Sequence, residues 1–83
     1  MKTIDDMKNV RFRAFHVFIA QQAGDADQLN VQLKAVDIEC LSLDDVFDEV
    51  VLIRAEFGGK PLDVARRAFD AYIRRELDAE RRG

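Results

Sequence analysis

Tryptophan is absent from this 83-residue chain, and cysteine and histidine occur once each, as Cys40 and His16. One cysteine excludes an internal disulfide, so nothing covalent staples so small a fold, and a reducing, cytoplasmic location is expected. His16 has no second histidine or cysteine at ligand spacing, which leaves no zinc-type site. No nucleophile and base can be assembled from one His and one Cys, so the chain is expected not to be an enzyme. The glycines of "EFGGK" do not make a phosphate loop, because the spacing and the Ser or Thr of such a loop are missing. No cofactor is expected. No run of about 18 apolar residues offers a membrane span, and "MKTIDDMKNV" carries acids where a secretory signal needs an apolar stretch.

What is present is a mixture of 48% hydrophobic and 35% charged residues, too apolar and too evenly charged for a disordered chain. A packed core follows, in one small domain over residues 1–83 that buries about 60 to 65% of the surface its unfolded chain exposes. Net charge is −3, unevenly spread. The segment 41–59 holds five acids and one base, whereas 60–83 holds seven bases and five acids. An acidic total disfavours a general nucleic-acid binder, since phosphate binding wants a basic surface. The Arg-, Asp- and Ala-rich composition is of the kind common in bacterial and bacteriophage proteins.

The second half carries a clear helical period. Leu43, Val46, Phe47, Val50, Ile53 and Phe57 recur at three and four residues and share one side of a helix near 42 to 57. Ser42 suits its N-cap, Asp44 and Asp45 suit the positive end of its dipole, and Gly58-Gly59 can end it in a left-handed conformation. Pro61 then opens a second helix near 61 to 80, with Leu62, Ala65, Phe69, Tyr72, Ile73 and Leu77 on one stripe. Residues 42–80 therefore read as a helical hairpin.

The first half is ambiguous by period. Leu29, Leu33, Val36 and Cys40 would line up on a helix, and Thr3 with Asp6 imitates a capping box ahead of one. As a helix, however, "VRFRAFHVFIA" scatters its apolar groups round the whole circumference, and six of its eleven residues are β-branched or aromatic, which favours strand. Strands near 10 to 21 and 28 to 39, joined by "AGDAD" with Gly24 at a positive φ, pair residues whose numbers sum to 50: Arg11 with Glu39, Arg13 with Asp37, Phe12 with Ile38. The expected fold is thus α+β, an N-terminal antiparallel β-hairpin (residues 10–39, after a segment 1–9) packed on one face by a C-terminal helical hairpin, in the order ββαα. An all-α four-helix arrangement is the alternative. Phe47, Ile53, Phe69 and Tyr72 are expected between helices and sheet.

In that fold the helices cover the hairpin face bearing Phe15, Val17 and Ile19. Val10, Phe12, Phe18, Val36 and Ile38 are left on the other face as a candidate surface for a partner or a second copy. Secondary charged contacts are Asp44, Asp45 and Asp48 on the first C-terminal helix, and Arg67 and Arg74, seven apart on the second. The acids read first as a solvated helix face rather than a cation site. The arginines read first as a face neutralised by Asp63, Asp70 and Asp78 at four-residue spacing. The functional expectation is a small, non-enzymatic protein–protein interaction module, an adaptor, regulator or inhibitor of a larger protein. The alternative is a homodimeric nucleic-acid-binding regulator.

Overall fold

In a computed structural model, which describes residues 4–82 with side chains from 8 to 79, four helices follow one another: α1 (Ile4–Ala23), α2 (Ala26–Ile38), α3 (Leu43–Phe57) and α4 (Leu62–Arg82). No strand occurs among the described residues. The β-hairpin expected at residues 10–39 is therefore wrong, and the α+β fold gives way to the all-α four-helix arrangement. Thr3, read as part of a capping box, lies outside the described residues.

The scatter of apolar groups round α1 has a different cause from the one it suggested. A helix that is apolar on all sides is a buried helix, and α1 contacts each of the other three. Val10, Ala14, Phe15, Val17, Phe18 and Ala20 are buried along it, and Phe12 and Ile19 pack partly buried against the same core. Tertiary contact on several sides overrides the strand preference of its β-branched and aromatic residues.

Gly24 does take a positive φ, +67°, but as a helix terminator. Its N–H donates to the Gln21 carbonyl at 3.2 Å, and the Asp25 N–H donates to the Ala20 carbonyl at 3.0 Å. That pair of bonds satisfies the last carbonyls of α1 in a Schellman motif. Asp25 at once becomes the N-cap of α2, its carboxylate accepting the Gln28 N–H at 3.0 Å. The chain reverses within two residues, so α1 and α2 form an antiparallel helical hairpin. Arg13 Nε donates to Glu39 Oε1 at 2.8 Å across it, and Arg13 Nη1 donates to the Oε1 of buried Gln32.

The end of α2 repeats the motif with Cys40 in the left-handed position, at φ 57°. Here the Cys40 and Leu41 N–H groups donate to the carbonyls of Asp37 and Val36, both at 3.0 Å. Ser42 caps α3 as its sequence suggests, accepting the Asp45 N–H at 3.4 Å. Gly58 corrects an expectation: it ends α3 at φ −60°, in right-handed geometry. Its N–H donates to the Arg54 carbonyl at 2.7 Å. A Cβ at this position would lie 2.5 Å from that carbonyl oxygen, so a close approach, not handedness, explains the glycine.

The core has two parts. α1 and α3 pack most extensively, and their buried faces carry Ala14, Val17, Val46 and Val50. α4 joins through rings: Phe69 stacks on Phe15 at 5.1 Å between centroids and meets Phe12 at 5.4 Å, and Phe15 meets Tyr72 at 6.1 Å, while the same Phe15 ring meets Phe57 of α3 at 6.3 Å. Of the four residues expected in the core, Ile53 and Phe69 are buried, Tyr72 is half-buried and Phe47 is exposed. No described helix is long and apolar enough to cross a membrane.

Candidate interaction surface

The five residues expected to form one contact face do not lie on one. Val10, Phe18 and Val36 are in the core, and Phe12 is half-buried against Phe69. Only Ile38, the last residue of α2, is well exposed, at 79%. The alternation that separated two faces belongs to a strand; on a helix the same residues wind round the axis and disperse.

The secondary charged positions fare differently. Asp44 and Asp48 are exposed on α3, and Asp45 is half-buried beside its N-cap. Arg67 and Arg74 are exposed on a shared face of α4. Among the described residues no ion pair within 4 Å joins them to Asp63, Asp70 or Asp78. The ion pairs that do form tie helices together: Lys8 Nζ of α1 lies 3.0 Å from Glu76 Oε2 of α4, alongside the Arg13–Glu39 pair between α1 and the end of α2.

Among the described residues, four of the seven exposed large hydrophobic side chains lie on α3. Val46, Val50, Ile53 and Phe57 turn inward, while Leu43, Phe47 and Val51, four apart, remain 47%, 37% and 60% exposed. Residues four apart drift only about 40° per step round a helix, so these three form one continuous stripe beside the buried face. Further toward solvent runs a second row at four-residue spacing, Asp44, Asp48 and Leu52, the last of them 62% exposed. The only base on α3, Arg54, is drawn to α1, where its Nη2 donates to Gln21 Oε1 at 2.6 Å. A signal for this surface was present in the chain. Eight of the fifteen residues of α3 are Leu, Val, Ile or Phe, and two of them, Val51 and Leu52, fall outside the stripe of Leu43, Val46, Phe47, Val50, Ile53 and Phe57.

His16 and Cys40, the two residues with latent chemistry, are far from a reactive arrangement. The His16 ring sits edge-on to Phe12 and Phe69, 4.8 Å from each, and its pKa is lowered, first by burial and then by the Arg13 charge, with Glu39 opposing. Cys40 is exposed at the α2 terminus. Burial, and then Glu76, raise the pKa of the Tyr72 phenol. Two open grooves run along α4, one of about 380 Å³ between Arg11, Glu56, Tyr72 and Arg75, the other of about 470 Å³ between Lys8, Phe12, Ile73 and Leu77. Among the described residues no three His, Cys, Asp or Glu side chains are grouped to hold a metal ion, the acids of α3 included. No family model, curated protein or solved structure matches this chain.

Proposed function

We propose that this chain is a non-enzymatic protein–protein interaction module whose contact surface is the outer side of α3. The observation that carries this reading is the stripe Leu43, Phe47 and Val51, with Leu52 beside it, all open to water on a helix whose other side is fully packed. Contiguous apolar side chains left in water are disfavoured at about 25 cal/mol per Å², and on small domains such patches commonly mark a contact surface. The stripe replaces the hairpin face expected from the sequence, while Asp44 and Asp48 keep the secondary role the sequence suggested. The ring of His16 is committed to packing between two phenylalanines, which supports binding over catalysis.

A photo-crosslinking amino acid in place of Val51, introduced in the native host or a close surrogate, tests the reading. A discrete adduct with another protein is expected, and Leu43→Glu in the same chain should remove it without lowering the melting temperature. A probe at Arg67 that captures the same protein more efficiently would move the contact to α4. The second reading, a homodimeric nucleic-acid-binding regulator, rests on the exposed Arg67 and Arg74. Asp63, Asp70 and Asp78 on the same helix weaken that surface for phosphates. It predicts a salt-dependent mobility shift with mixed-sequence DNA that Arg67→Glu with Arg74→Glu abolishes.

A further inference from the structure

The α3 stripe also carries information about what covers it. α3 holds five carboxylates, Asp44, Asp45, Asp48, Glu49 and Glu56, against the lone Arg54, and that guanidinium is turned to Gln21 of α1. Asp44 and Asp48 are exposed in the row next to Leu43, Phe47 and Val51, and Leu52 continues that row. An approaching surface therefore meets apolar side chains and carboxylates together, in a pattern one helix long.

A second copy of this chain is a poor occupant. Antiparallel two-fold pairing of α3 with α3, centred on Phe47, would set Asp48 of one copy beside Asp48 of the other and Asp44 across from Leu52, and like charges or an unpaired carboxylate on an apolar side chain oppose association. The stripe is also short: four partly exposed side chains offer on the order of 300 Å² of apolar surface, against roughly 450 Å² of apolar surface per partner in a standard stable interface. Both points favour a small, complementary element from another protein.

We propose that the α3 surface binds an amphipathic helix of a partner protein, one whose apolar stripe, at three- and four-residue spacing, is rimmed by Lys or Arg. The apolar side chains of that helix lie along Leu43, Phe47, Val51 and Leu52, and its cations lie against Asp44 and Asp48. This is the recognition mode in which a helix lays one face along a hydrophobic surface and charges fix its register. The proposal rests on α3 being the contact surface, and adds the chemistry of the partner.

The test uses the full chain, labelled with nitrogen-15, and two helical peptides that share one leucine stripe and differ only in rim charge, one with lysines and one with glutamates. Amide shifts confined to residues 43–52 are expected with the lysine peptide alone, with binding about tenfold weaker when NaCl rises from 50 to 500 mM. Asp44→Lys with Asp48→Lys should reverse the preference, so that the glutamate peptide binds better. Asp48→Lys alone, further from the helix N-terminus, serves if the double variant does not fold. Equal binding of both peptides, shifts centred outside α3, or binding of neither overturns the proposal. So does a dimer in analytical ultracentrifugation that Leu43→Glu dissolves, which would assign the stripe to a second copy. A crosslinked partner at position 51 whose contacting segment is acidic would overturn the partner chemistry and leave the interaction surface standing.

Discussion

α1 packs most extensively on α3, where Ala14 and Val17 of α1 and Val46 and Val50 of α3 are buried and Phe15 meets Phe57, and it meets α4 through the rings of Phe12, Phe15, Phe69 and Tyr72. On the first seam Ala14, Val17, Val46 and Val50 are without meaningful solvent exposure, and small side chains let two helices approach closely. On the second, Phe69 sits 5.1 Å from Phe15 and 5.4 Å from Phe12 between centroids, and these large rings carry the contact with α4. The two open grooves both run along α4. The same central helix is fixed by close fit on one side and by a few large contacts on the other. Substitutions should separate the two.

The largest effect is expected on the aromatic side, where one ring carries many contacts. Phe69 touches Phe12, Phe15 and His16, so Phe69→Ala should cost about 3 to 5 kcal/mol and leave α4 undocked or the whole domain unfolded. Val50→Ala, on the other seam, removes less apolar volume and should cost about 2 kcal/mol, near 0.8 kcal/mol per lost CH₂ group plus the cavity left behind. Urea midpoints give the ranking; if Val50→Ala proved the more damaging, α4 would not be held as described.

Enlargement should reverse that ranking. Ala14 is completely buried, and Ala14→Leu forces methyl groups between α1 and α3, at about 1 to 3 kcal/mol. Ala68 is half-buried at the edge of the 380 Å³ groove, and Ala68→Leu has room to extend into it, with an expected change within about 0.5 kcal/mol. Equal losses in thermal melts of the two variants would erase the distinction between a close-packed and an open seam.

The unequal seams also explain which parts of the fold could be read from the sequence. α3 and α4 were legible within a residue or two because each turns a side to solvent, which gives the apolar pattern a helical period. α1 was not, since Val10, Ala14, Phe15, Val17, Phe18 and Ala20 are buried over more than half of its circumference, which blurs the helical period. The stop-and-start signal at its end, Gly24 followed by Asp25, was visible, and reads as a helix C′ glycine and an N-cap as readily as a hairpin loop. The cross-strand complementarity had a real basis too. An antiparallel helical hairpin also brings together residues whose numbers have a nearly constant sum, and Arg13 finds Glu39 where the strand register paired it with Asp37. Of the proposed contact surface, only the acids Asp44 and Asp48 were picked out by the sequence. Val51 and Leu52 extend the apolar arc of α3 beyond the inward face, but which edge of that arc stays uncovered depends on where α1, α2 and α4 lie.

Acidification probes the aromatic side without changing its volume. His16 lies between Phe12 and Phe69, and burial holds its folded-state pKa below the ordinary 6.5. The unfolded chain therefore takes up a proton that the folded chain resists. Stability from this group is complete above about 6.5 and falls as pH drops from there toward the folded pKa. His16→Leu should flatten the part of the pH 7 to 5 stability profile that the parent loses beyond its carboxylates. Parallel profiles for parent and variant would mean that the ring is as well hydrated in the fold as in the unfolded chain.

A small gain in stability is expected at the turn that delivers the chain from α2 to α3. The ends of α1 and α2 use the same capping bonds, but the left-handed position is Gly24 in one and Cys40 in the other. A side chain in that conformation costs roughly 1 to 2 kcal/mol, and glycine avoids it at the expense of about 0.5 to 1 kcal/mol of unfolded-state entropy. Cys40→Gly should therefore raise stability by less than about 1 kcal/mol, seen as a later urea midpoint at unchanged m-value. The thiol is exposed, and its one contact, with the Ile38 carbonyl at 4.0 Å, is weak, so little is lost on removing it. Gly24→Ala supplies the control: it places a Cβ in open space, yet at φ +67° it should lower stability by about 1 kcal/mol. A loss in both variants would show that Cys40 contributes through its side chain, and that the second turn is held by more than its backbone bonds.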